Sequence, residues 1–338
     1  MSTDAQEPRT DGGHALFGPM ATGGEASTRR ERAYRLYDIY VYAPASIMWN
    51  NWRAQVGTFL ILFFVAMGTI GVHIYPEPTY GLADPYIGLF ESWEYPLGTD
   101  RAGRPIDRQI VHATPPMLQM ALAGAIFAVG VAVVVGVTSG FKGGKVDRML
   151  MTACDVMICI PGLPLVIVLA AIFEPRSPFV VGVILAIDGW PGLARALRSQ
   201  VLTIRESGYV EAQRAMAVDQ GTIIRKDITP QLMPYILINA AQTMRAVIFE
   251  SVALYFLGIL PFTVTNWGVM MNLAYTQGGA LSNLGRAGHW LFAPMLALIL
   301  FSFGLVLFAQ GMDSVFNPRI RARHAKTVTT DEESGQMV

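Results

Sequence analysis

Between Arg205 and Gln231 the chain runs RESGYVEAQRAMAVDQGTIIRKDITPQ, a polar stretch lodged between two segments apolar enough to cross a bilayer. Nothing in it suits a hydrocarbon interior, so it must lie in water or against another protein. Its residue order predicts a helix from about Glu206 to Ala217, a turn, and a short second helix. Asp219 is placed to N-cap that second helix, and Pro230 to stop it near Lys226 or Asp227 by biasing Thr229 out of the helical region. Ala212, Ala215 and Ala217 are small enough to let a partner's backbone approach, while Tyr209, Val210 and Met216 offer apolar grip. A stiff two-helix knob on the end of membrane spans is a lever.

Working outward, the composition agrees. Of 338 residues 52% are hydrophobic and only 15% charged, too apolar for an ordinary soluble domain of this length. Formal net charge is zero, so charge gives no support to a nucleic-acid role. No His/Cys cluster has metal-ligand spacing and no glycine loop has a phosphate-binding pattern, so no metal or cofactor is expected on this chain. Cys154 and Cys159 lie in an apolar block, five apart and thus on different helix faces; both are expected to be buried small hydrophobes.

The apolar blocks predict an all-α integral membrane protein with six transmembrane helices. Residues 1–28 are expected to be a disordered cytoplasmic tail without a signal peptide's apolar core. Residues 29–117 hold an arginine cluster, an interfacial helix from Tyr34 to Trp52, a first span from Val56 to Ile74, and a proline-punctuated external segment from Tyr75 to Pro116. Residues 118–315 carry five spans, at about 118–140, 149–173, 179–197, 232–260 and 291–310. The third is expected to break at Pro161 and Pro164, and the fourth to bend at Gly189-Trp190-Pro191-Gly192. Trp267, His289 and Trp290 suit the membrane interface, and residues 316–338 form a cytoplasmic tail. Lys and Arg gather on one face: the N-terminal arginines, Lys142 with Lys145, the knob, and the C-terminal Arg319, Arg321 and Arg323. That bias puts both termini and the knob in the cytoplasm, although Arg101, Arg104 and Arg108 fall on the other face.

Four motifs then meet in order. Leu97-Gly98-Thr99-Asp100 with Gly103-Arg104, Glu211-Ala212 with Ala215, Ile228 and Pro230, Trp267-Gly268 with Met270, and Asn317-Pro318-Arg319 resemble those of membrane subunits of ABC importers. The resemblance spans Tyr95 to Ile320 and is to the C-type permease of the dipeptide/oligopeptide family. It implies that the knob is a coupling helix seated on an ATPase, with Tyr209, Glu211, Ala212, Arg214, Ala215, Met216, Ala217 and Asp219 as coupling residues. It further implies a second homologous permease, two ATP-binding cassette ATPases that bind the ATP, and an extracytoplasmic solute-binding protein. Members of similar architecture carry oligosaccharides or nickel. This chain departs from the pattern at Ala217, where the family usually has Gly, and at Gln213, Pro105 and Thr114.

Ionisable groups inside a membrane are expensive and face protein or water. Asp155, Asp188, Arg245 and Glu250 are such groups. Asp155 and Glu250 either line the solute path or pair with donors on neighbouring helices. Arg245 and Glu250, five apart, should not face each other on one helix. Asp100, Arg101, Arg104, Asp107 and Arg108 form either a salt-bridged cap over the pore mouth or a solvated loop. A secondary transporter or channel would need inverted repeats, and a membrane enzyme a convergent catalytic set; neither is found in the sequence.

Overall fold

The computed structural model describes residues 51–262 and 265–316, all within one unit of the chain. Expectations for the two tails, for the arginine cluster and interfacial helix before residue 51, and for Asn317-Pro318-Arg319 lie outside these residues. Among the described residues the regular structure is helical, apart from one isolated β-bridge between Thr99 and Pro105.

Helix α1, Trp52–Ala66, is capped by the Asn51 side chain and continues through a π turn, Met67–Gly71, into Val72–Ile74. Helix α2 spans Ile106–Lys142, and α3 (Gly144–Cys159) and α4 (Gly162–Phe173) follow. Next come α5 (Pro178–Leu185), α6 (Trp190–Arg205), α7 (Gly208–Ala215) and α8 (Gln220–Ile223). A π turn, Ile224–Ile228, leads into α9 (Thr229–Phe256), then α10 (Trp267–Thr276) and α11 (Leu284–Phe316). Four helical runs, 52–74, 106–142, 220–256 and 284–312, are long and apolar enough to cross a bilayer. The pairs α3/α4 and α5/α6 are bent by 85° and 63°, and each supplies a further span if the bent pair counts as one. The breaks fall at Ile160-Pro161 and around Gly189, whereas Pro164 makes no break and sits in the first turn of α4, where its missing N–H is tolerated.

Helix α2 is the axis of the bundle, with α5, α6 and α9 against it. Its glycines explain the closeness: a Cβ on Gly136 would stand 2.5 Å from the Ala194 carbonyl oxygen, and one on Gly124 2.7 Å from that of Gly182. Without a hydrophobic force between helices in lipid, such backbone approach is what packing has to work with. Helix α1 lies along α11 in the same way, a Cβ on Gly57 falling 2.4 Å from the Phe308 nitrogen.

Several boundaries differ from those the sequence predicts. Helix α2 begins at Ile106 and runs straight through Pro115 and Pro116. Thr114 turns its hydroxyl back onto the Ile110 carbonyl beside them, and the π turn of α1 packs there through Gly68, so tertiary contact overrides the breaker. Pro230 does not end the knob's second helix either. The wider π turn carries the chain through it, Thr229 is helical at φ −59°, ψ −43°, and Pro230 lies within the continuous helical run from Gln220 to Phe256. The 261–288 loop contains α10 and the start of α11. Trp267 and Trp290 are not interfacial but buried in the core, Trp267 edge-on to Phe64 at 5.6 Å. Cys154 is buried, whereas Cys159 is exposed on the chain's own surface.

Candidate functional site

The knob is built from behind. Arg205, the last residue of α6, donates to the Gly140 and Phe141 carbonyls at 3.1 and 3.4 Å, tying α6 to the end of α2. Val210 points inward, fully buried with Leu197, Val201, Ile223, Ile228 and Leu232, so it anchors the knob and gives no grip to a partner. Gln231 donates to the Tyr209 hydroxyl at 2.5 Å and to the Asp227 carbonyl at 2.8 Å, latching α7 to the start of α9. Arg214 lies over the Phe141 ring at 4.7 Å and does not brace Glu211.

The turn between α7 and α8 keeps its left-handed form although Ala stands at its centre. Ala217 has φ +55°; its N–H bonds to the Arg214 carbonyl at 3.0 Å, and that of Val218 to the Gln213 carbonyl at 3.1 Å. These two bonds make a Schellman stop, normally closed by glycine. The Asp219 carboxylate then accepts from the Thr222 N–H at 3.0 Å, capping α8 as its position in the sequence predicts. What remains outward is Tyr209 in part, Glu211, Ala212, Arg214, Ala215, Met216 and Ala217. Glu211 makes no side-chain hydrogen bond or ion pair among the described residues. The knob therefore has a locked back and an open front of small residues, one carboxylate and one thioether.

At the other end of the bundle the 75–105 segment folds around Asp100. That carboxylate is fully buried and accepts from the Ala102 and Arg104 N–H groups, from Arg104 Nε at 2.7 Å and from Gln109 Nε2 at 3.1 Å. Thr99 links Asp84 and Ile87 through its hydroxyl, and its carbonyl meets His289 Nε2 at 3.1 Å. Gly98 and Gly103 have φ of +76° and +68°, and a Cβ on either would strike a carbonyl oxygen, that of Ile87 or of Ala83. Leu97 packs on the core, and Arg104 lies over the Tyr80 ring. The motif is thus a folded segment closed around the Asp100–Arg104 ion pair rather than a solvated loop.

The intramembrane groups separate. Asp155 pairs with Arg195 across α3 and α6, close to the Arg198–Asp147 pair, where Arg198 Nε and Nη2 reach both carboxylate oxygens at 2.5 and 2.6 Å and Ser139 adds a third bond. Glu250 lines a different cavity of about 540 Å³ between the α5/α6 break and α9, together with Asp188, Arg245, Tyr235, Asn239, Gln242 and Thr243. The structure does not bring Asp155 and Glu250 together. It does bring Arg245 and Glu250 to one cavity, although they lie five residues apart on α9. Sequence reasoning missed the polar face formed by Tyr235, Asn239, Gln242, Thr243 and Glu250, whose spacing of 4, 3, 1 and 7 was there to be found.

An apolar bundle with two broken helix pairs, a folded polar segment at one end and a locked, water-suited knob at the other defines a multi-pass membrane protein of the transport kind. The chain belongs to the family of binding-protein-dependent transport system inner membrane components, whose pattern matches residues 132–322. It is 30% identical over 277 residues to the dipeptide transport system permease protein of Bacillus subtilis, covering 80% of this chain and 83% of the relative. The oligopeptide transport system permease protein of the same organism is 28% identical over 275 residues, covering 80% and 87%. The glutathione transport system permease protein of Pectobacterium atrosepticum is 30% identical over 231 residues, covering 67% and 73%.

Proposed function

We propose that this chain is a permease subunit of an ATP-driven importer of di- or oligopeptides and forms half of the solute pathway. A second, homologous permease supplies the other half, two ATPase subunits bind and hydrolyse the ATP, and an extracytoplasmic binding protein delivers the solute. The peptide relatives support the solute class. Each bent pair counts as one span in this reading, which gives six spans with both termini and the knob in the cytoplasm.

The observation that carries the mechanism is the asymmetry of the knob: a back fixed by Arg205, Val210 and Gln231, and an unpartnered front at Glu211, Ala212 and Ala215. A rigid body so attached transmits displacement to α6 and α9 without absorbing it. Tyr209, Arg214, Met216, Ala217 and Asp219 shape and hold that front. Closure of the ATPases moves two such knobs, and the helices rock about the breaks at Pro161 and Gly189 so that access alternates. Asp155, paired with Arg195, braces α3 against α6. In the assembled, reconstituted complex, Ala215→Trp abolishes solute-stimulated ATP hydrolysis and uptake while membrane insertion is unchanged. Wild-type uptake by that variant overturns the docking assignment.

A further inference from the structure

The polar face of α9 is a ladder. Tyr235, Asn239, Gln242, Thr243, Ala246 and Glu250 fall within an arc of about 100° on an ideal helix, and all line the one cavity. From first to last they rise about 22 Å, most of a hydrocarbon thickness of about 30 Å. A helix that merely packs in lipid has no use for such a face, since each polar group left towards hydrocarbon costs free energy. The far end of the ladder carries the charges. Glu250 lies on the side of the bundle remote from the knob, and Asp188 joins it from the non-helical link between α5 and α6, its carboxylate packed against Gly162 at the α3/α4 break.

Neither carboxylate has a hydrogen bond or ion pair among the described residues. Arg245, the cavity's cation, is held only by a 3.3 Å contact with Gln242. It lies five residues nearer the knob than Glu250, an axial offset of roughly 7–8 Å. One wall therefore presents two unpaired acceptors of positive charge and, below them, a guanidinium whose partner is the neutral Gln242.

We infer that this wall is a solute-contacting site for zwitterions: Asp188 and Glu250 receive the ammonium group of the incoming solute, and Arg245 its carboxylate. Asn239, Gln242 and Thr243 exchange hydrogen bonds with amide groups as the solute moves towards the knob. The inference rests on the importer reading and adds a selection at the permease itself, after the binding protein has released its cargo. Asp188 has a second consequence: by touching Gly162 it lies at both helix breaks, so an ammonium group drawn onto it is placed where the bundle bends.

The test uses the whole complex in proteoliposomes with saturating binding protein preloaded with trialanine. Asp188→Asn with Glu250→Gln lowers uptake about tenfold, the scale of a lost charge-assisted hydrogen bond, while ATP hydrolysis stimulated by the loaded binding protein persists. Asp188→Glu with Glu250→Asp restores most of the uptake, which a purely structural role would not predict. A second arm needs no transport. With Cys154 and Cys159 replaced by Ser, a cysteine at Ala246 reacts faster with a cationic than with an anionic methanethiosulfonate, relative to free thiol, and the preference disappears in Asp188→Asn/Glu250→Gln. Uptake within twofold of wild type in the double variant, or labelling without charge preference, overturns the inference and leaves the importer reading standing. Absence of trialanine uptake by the wild-type complex overturns the peptide reading itself.

Discussion

Replacing Ala217 by glycine should strengthen the knob. An L-residue at φ +55° carries a steric cost of about 1–2 kcal/mol, because its Cβ crowds the following carbonyl. Glycine removes that cost and returns about 0.5–1 kcal/mol as greater freedom in the opened state. The net gain is about 0.5–1 kcal/mol, which falls on the two Schellman bonds from the Ala217 and Val218 N–H groups. Local opening of the turn should therefore become about two- to fivefold rarer. Hydrogen–deuterium exchange with mass spectrometry on peptides covering 208–231 reads this directly: Ala217→Gly slows exchange by that factor, and Ala217→Val, with a branched Cβ in the same region, speeds it by more. Unchanged or faster exchange in Ala217→Gly would mean that the turn is not left-handed and that α7 does not end in a Schellman stop.

Three further outcomes are expected. Asp100→Asn removes the charge that Arg104 and three other donors share, costing about 3 kcal/mol in a fully buried setting; limited proteolysis of the 75–105 segment should quicken. Asp155→Asn should leave uptake intact while lowering the midpoint of unfolding in detergent, since its carboxylate serves to pair with Arg195 across α3 and α6. In cells, a cysteine introduced at Ser177 or Gln277 should label from outside, and one at Gln220 only from inside; the reverse pattern would invert the topology.

Much of the architecture was legible because hydrophobic blocks and breakers are local signals. The breaks at Pro161 and at Gly189-Trp190-Pro191-Gly192, and the Asp219 cap, follow from residues within a turn of where they act. Misreadings arose where distant packing decided. Pro115 and Pro116 sit inside α2 because the π turn of α1 and the Thr114 hydroxyl accommodate them, and Pro230 is carried by a π turn that no single residue announces. Trp267 and Trp290 resemble interfacial anchors by composition, yet α10 folds back and buries both. In the candidate site, the outward residues of the knob were readable from the motif, whereas the inward turn of Val210 and the separation of Asp155 from Glu250 depend on how α3, α6 and α9 pack.

The pairing of α1 with α11 bears on biogenesis. Helix α1 finds its main seat on α11, made long after it, through contacts so close that Gly57 and Gly304 admit no side chain. Until α11 is made, that early segment holds to the bundle only through its π turn against α2, and the rest of it dwells among lipids. Synthesis of α11 is then also the moment of closure, and truncation anywhere before it leaves most of α1 without its seat however well the middle has assembled.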